Sequence, residues 1–136
     1  MRDLNHKVAW ITGAGSGIGA GAALALAGAG MRLVLSGRRQ AELARVAEQV
    51  QAAGGQARVA VLDVADADAV QAVADSIAAQ EGRLDLLLNS AGLNVKARNW
   101  QHLQRSGWQE VIDIDLNGTF YTCHAALALI GPSATG

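Results

Sequence analysis

An α/β fold, a doubly wound parallel sheet, is what this 136-residue sequence predicts, on three observations. Short apolar runs alternate with longer stretches of helical spacing almost to the end of the chain. The runs are nearly continuous in apolar residues, as strands covered on both faces are. Five glycines stand between the first run and the first helical stretch, in "ITGAGSGIGAG" at 11–21. Repeated βα units call for a parallel sheet with helices on both faces and right-handed crossovers.

Each element has its own justification. "KVAWI" (Lys7–Ile11) reads as a buried strand, and "AALALAGAGM" after the glycines reads as a helix. Gly-rich runs serve as linkers or as phosphate-binding surfaces. A linker would have polar flanks, whereas strand, Gly turn and helix aim free N–H groups and the positive helix end at a pyrophosphate. "RLVLSG" (Arg32–Gly37) is the second strand. The next helix carries Leu43, Val46, Ala47 and Val50 on one face, turns Glu42, Arg45 and Glu48 outward, and ends at Gly54–Gly55. "ARVAVLDV" (Ala57–Val64) is the third strand. Asp66 then caps a helix whose inner face is Val70, Val73, Ala74 and Ile77. "LDLLLNS" is the fourth strand. The last helix is expected to start at Ser106, which forms a capping box with Gln109, and to bury a stripe of Trp108, Val111, Ile112, Leu116 and Thr119. The tail, "GPSATG", reads as disordered. One domain over 1–130 and a flexible tail over 131–136 are expected.

Bulk properties narrow the function classes. With 51% hydrophobic residues the chain can bury a core. A net charge of −1 gives no basic footprint for nucleic acid. The single cysteine, Cys123, has no internal partner for a disulfide, which suits a reducing cytoplasm. The N-terminus lacks the apolar stretch of a signal peptide, and no run is long enough to span a bilayer. A cytoplasmic protein without membrane, nucleic-acid or metal partners is expected.

The motifs resemble those of the short-chain dehydrogenases/reductases. The family's T-G-x-x-x-G-x-G stands here as Thr12-Gly13-Ala14-Gly15-Ser16-Gly17-Ile18-Gly19. The phosphate-loop alternative needs Gly-Lys-Ser/Thr, and the only lysines are Lys7 and Lys96. "LDV" after the third strand resembles the family's adenine contact, Asp63 with Val64. "NSAG" (Asn89–Gly92) resembles N-N-A-G, in which Asn89 would steady the sheet while Ala91 and Gly92 admit the ribose. "DIDLNGTF" (Asp113–Phe120) resembles the helix motif DVNLxGxF. The resemblance covers residue 7 to about 127. It implies a Rossmann-type sheet, truncated after the fourth strand and its long helix so that the fourth strand is an open edge. It also implies hydride transfer between a nicotinamide cofactor and a small carbonyl or alcohol, and a homo-oligomer formed through the helix starting near Ser106.

The end of the second strand, "LSGRR", bears on the cofactor. An NAD site places an acid there for the ribose 2′-hydroxyl; here Gly37 occupies the place, and Glu42 is the first acid after it. Arg38 and Arg39 stand where a 2′-phosphate would sit, and a guanidinium fork suits that dianion. NADP(H) is therefore expected over NAD(H).

Two departures stand against the family pattern. Asp115 replaces the asparagine that the resemblance places in a proton relay, and it falls on the expected apolar stripe, where a carboxylate without partners is costly. The bland reading is an aspartate satisfied by nearby backbone or water. The catalytic Ser and Tyr-x-x-x-Lys are missing: the one tyrosine, Tyr121, is followed four residues on by Ala125. The loop 93–104 borders the substrate side, with Lys96, Arg98 and Trp100 as possible contacts. Three readings stay open: the cofactor-binding half of an oxidoreductase, a nucleotide-binding module without catalysis, and a chain that serves by pairing.

Overall fold

Val8–Thr12 forms β1, all five residues buried, because it runs down the middle of the sheet with a neighbour on either side. The structure is a computed structural model and describes residues 3–130. The expected flexible tail, 131–136, lies outside the described residues.

The elements follow in strict alternation: α1 (Gly17–Gly28), β2 (Arg32–Gly37), α2 (Gln40–Ala52), β3 (Gln56–Val61), α3 (Ala67–Gln80) and β4 (Leu86–Asn89). A final helical stretch comprises α4 (Arg105–Val111), a π-helical segment (Ile112–Gly118) and α5 (Thr119–Leu127). The sheet order is β3-β2-β1-β4, every pair is parallel, and β4 lies at one end. In register, Ile11 of β1 stands between Leu35 of β2 and Leu88 of β4.

Strand alternation divides the core into two layers. Val8, Trp10 and Val34 point to the face covered by α3 and α5, where they meet Val70, Ile77, Ile114 and Ala126. Ala9, Ile11, Leu33 and Leu35 point to the other face, onto Ala23 of α1 and Leu43, Val46 and Val50 of α2. The inner faces expected for α2 and α3 are the buried ones. Each such Leu or Val contributes about 1.5–3 kcal/mol by leaving water.

Polar bonds fix the strand ends. Asp66 caps α3 by accepting the Ala69 N–H at 3.0 Å. Asp85 accepts the Val8 N–H on its carboxylate at 2.9 Å and donates its own N–H to the Val8 carbonyl at 2.9 Å, closing β4 onto β1. Burial pushes the Asp85 carboxyl up, but hydrogen bonds from Arg83 and Val8 and the charges of Arg83 and Lys7 outweigh this and hold it below the usual carboxylate range. Within the core, the Trp10 indole N–H donates to Ser36 Oγ at 3.0 Å, which satisfies two buried polar groups together.

Several expected boundaries shift: the first helix runs over Gly17–Gly28 rather than 22–31, and the fourth strand over Leu86–Asn89 rather than 84–90. The third strand ends at Val61 rather than Val64, because after Leu62, whose N–H still bonds Gly37 O, the chain leaves its neighbour for the turn at Asp63–Asp66. The last helix starts at Arg105, with Gln104 as its extended N-cap, so Ser106 lies inside the first turn and forms no cap. Gln109, the other half of the expected capping box, instead donates to Asp113 at 2.8 Å.

Candidate functional site

The carboxyl ends of β1, β2 and β4 open into one crevice of about 680 Å3. Its floor is the glycine loop. Gly13 has φ +62°, and a Cβ there would overlap the Ser90 carbonyl and stand 2.6 Å from Ala91 N. A Cβ on Gly19 would overlap the Gly13 carbonyl, so α1 can start this close to the loop only with glycine there. Thr12 Oγ1 accepts the N–H groups of Ser90 and Ala91, each at 3.3 Å, and Ala14 N–H donates to Ser36 O at 3.1 Å. Three strand ends are thus clamped around the turn.

Ser16 is the extended N-cap of α1, and its side chain makes no capping bond. The first-turn N–H groups of a helix have no intrahelical acceptor and carry the positive end of its dipole, which suits an anion. Gly15, Ser16, Gly17 and Ile18 line the crevice at this end, and Ile18 is 83% exposed.

The other walls come from three places. Gly37, Arg38, Arg39 and Glu42 form the β2–α2 side, with Arg39 as the N-cap of α2 and both arginines exposed. Asp63 and Val64 form the side after β3. Asp63 Oδ1 accepts the Ala65 N–H at 3.0 Å, so this carboxylate shapes the turn into α3 while facing the crevice. Ser90, Ala91 and Gly92 form the side after β4, and Ile114 closes it from below.

Not every expected residue lines this space. Gly19 supports the loop from behind. Asn89 points to α5: the Thr122 hydroxyl bonds its Oδ1 at 2.7 Å, and its Nδ2 donates to Cys123 Sγ at 3.3 Å. Exposed Lys96, Arg98 and Trp100 lie outside the crevice. Glu42, expected outward, is half-buried and lines the crevice instead, because α2 starts next to Gly15, whose Cβ would stand 3.1 Å from the Glu42 Cβ.

The last helix departs most from expectation. Trp108 and Leu116 of the expected buried stripe are exposed, while Ile114, Gly118, Thr122, Ala125 and Ala126 are buried. The π-helical segment widens the turn, so a stripe extrapolated at 3.6 residues per turn loses phase across it. Asp115 consequently stands exposed rather than on a buried face, and its Oδ1 accepts the Leu93 N–H at 2.8 Å. The Leu93 backbone N–H thus gives one oxygen of this carboxylate a partner.

Residues 7–136 match the family model described as short chain dehydrogenase. The chain belongs to the short-chain dehydrogenase/reductase family. This family member is 34% identical over 133 residues to the 3β-hydroxysteroid dehydrogenase of Mediterraneibacter gnavus, covering 98% of this chain and 48% of that protein. It is 41% identical to the D-threitol dehydrogenase of Mycolicibacterium smegmatis, covering 90% and 46%. Among solved structures, a metagenomic short-chain oxidoreductase in complex with NADP superposes with a TM-score of 0.86 at 33% identity, covering 91% of this chain and 56% of that one. A short-chain dehydrogenase/reductase from Mycobacterium ulcerans superposes at 0.88 with 27% identity, covering 94% and 48%. The chain spans about half the length of the curated relatives it matches. No helix among the described residues is long and apolar enough to cross a membrane.

Proposed function

We propose that this chain is the cofactor-binding half, residues 1–130, of an NADP(H)-dependent oxidoreductase that interconverts a small-molecule carbonyl and an alcohol. The observation that carries the reading is the single crevice in which the glycine loop, Arg38 and Arg39, Asp63 and Val64, and Ala91 and Gly92 meet. Its polar groups and its glycine-lined floor fit a dinucleotide. Bound there, the cofactor would supply a hydride to the carbonyl or take one from the alcohol.

The chain's own residues have the following roles in this reading. The N–H groups of Ser16, Gly17 and Ile18 receive the pyrophosphate at the start of α1. Asp63, with its neighbour Val64, receives the adenine. Ala91 and Gly92 present backbone to the nicotinamide-side ribose, while Asn89 keeps β4 joined to α5. Arg38 and Arg39 receive the 2′-phosphate, with the absence of an acid at Gly37 favouring NADP(H) over NAD(H). Proton transfer at the substrate oxygen falls to groups outside this sequence, since it contains no Tyr-x-x-x-Lys. Asp115 acts by holding the loop at Leu93. The outward face of the last helix, with Trp108, Leu116, Phe120 and Leu127 exposed, supports pairing of two copies there. A cytoplasmic location completes the reading.

The second reading, a nucleotide-binding module without catalysis, keeps the same nucleotide site and differs in that no Tyr-x-x-x-Lys motif, which this sequence does not contain, acts with it. Titration of the chain with NADPH and with NADH tests the proposal. NADPH-selective binding, weakened about tenfold or more by Arg38→Ala while NADH is little affected, is the expected result. Binding of neither nucleotide overturns the proposal. Binding without turnover when the remaining half of a relative is supplied favours the module.

A further inference from the structure

The β2–α2 wall of the crevice contains an acid that no motif assigns. Glu42 sits in the first turn of α2, with its Cβ 3.1 Å from where a Cβ on Gly15 of the phosphate loop would stand, and Arg38 and Arg39 are in the same lining. A carboxylate at this wall would repel a 2′-phosphate and accept from a 2′-hydroxyl. Its charge is not free, however: Arg45, one turn further along α2, bonds Glu42 Oε2 at 3.0 Å.

We infer that Glu42 and Arg45 form a specificity-setting pair, in which Arg45 neutralises and turns aside the one crevice acid able to select against a 2′-phosphorylated cofactor. The inference rests on the nucleotide reading above. Both residues belong to the same helix as the Arg39 cap, so the pair is set in place by α2 and needs no cofactor to form. With Arg45 present, the wall nearest Arg38 carries net positive charge. Without it, the Glu42 carboxylate is released toward the crevice and opposes the arginines.

The Arg45 side chain is 57% exposed and that of Glu42 35%, so the expected effect is modest and falls as salt rises. The experiment measures dissociation constants for NADPH and NADH by tryptophan fluorescence, for the wild-type chain, Arg45→Gln, Glu42→Gln and the double variant. Arg45→Gln lowers the preference for NADPH over NADH about threefold, and Glu42→Gln preserves or raises it. In the Glu42→Gln background, Arg45→Gln has a smaller effect, because no carboxylate remains to be released. Both substituted side chains are partly exposed, and circular dichroism verifies the folding of the three variants. An unchanged preference in Arg45→Gln, or an equal drop with and without Glu42, overturns this inference while leaving the nucleotide reading intact. Failure of the wild-type chain to bind either nucleotide overturns both.

Discussion

Asp115 Oδ1 lies 2.8 Å from the Leu93 N–H that it accepts, and 3.7 Å from where a Cβ on Gly92 would stand. The π-helical segment is therefore bonded to the loop that leaves β4, directly behind the Ala91–Gly92 wall of the crevice. An acceptor is all this contact requires.

Asp115→Asn should preserve it, since the amide oxygen accepts equally, whereas Asp115→Ala leaves the Leu93 N–H without its partner. We expect the alanine variant to lose about 1 kcal/mol of stability in urea unfolding and the asparagine variant a few tenths. Equal losses in the two variants would mean that the bond contributes nothing.

Gly13→Ala should be far more damaging. The added methyl meets the Ser90 carbonyl on a backbone already at φ +62°, so strain and overlap act together. A loss of about 2–4 kcal/mol is expected, with nucleotide binding abolished. Thermal melting of this variant beside Gly21→Ala, where nothing beyond the adjoining residues and the backbone of α1 itself lies within 4 Å of the added carbon, gives the comparison.

Stability should depend on pH through Asp85. Its folded carboxyl is held below the ordinary value, so its contribution is complete above that value, about 3.9, and is lost as pH falls through the lower folded one. Asp85→Asn should therefore cost about 1 kcal/mol at pH 7 and distinctly less near pH 3. The check is the denaturation midpoint of both proteins at the two pH values. A constant gap would show that the ionised form is not what matters.

Thr122→Val removes the hydroxyl that bonds Asn89 Oδ1 while keeping the volume of a fully buried side chain. The expected loss is about 1–2 kcal/mol, with faster amide exchange in β4 relative to β1. Uniform exchange across the sheet would show that Asn89 does not couple β4 to α5.

Much of the architecture is legible because local pattern and tertiary demand agree. The apolar runs read at 7–11 and 32–37 form strands at Val8–Thr12 and Arg32–Gly37, buried apart from Lys7 and the end residues Arg32 and Gly37, and the faces of α2 and α3 follow their 3.6-residue spacing. The glycine spacing likewise locates the crevice, since Gly13 and Gly19 answer to contacts only a sharp turn creates. What pattern does not reveal is a change of helical phase. Nothing in "IDIDLNG" announces a π turn, across which Leu116 is exposed and Gly118 buried, and Trp108, ahead of that segment, is exposed as well. Ser106 and Gln109 satisfy a capping pattern, but Gln104 starts the helix first. Glu42 lines the crevice because the first turn of α2 lies beside Gly15, a closeness between residues 27 positions apart that helical spacing alone does not register.

Trp10, bonded to Ser36 beneath the crevice, is wholly buried, whereas Trp100 and Trp108 are 87% and 54% exposed. The three indoles therefore form an optical system already sorted by solvent access. Acrylamide extinguishes the emission of the outer two first and isolates the blue-shifted light of the third. Because Ser36 also holds Ala14 of the glycine loop through its carbonyl, that residual signal monitors the crevice floor from below without any added label.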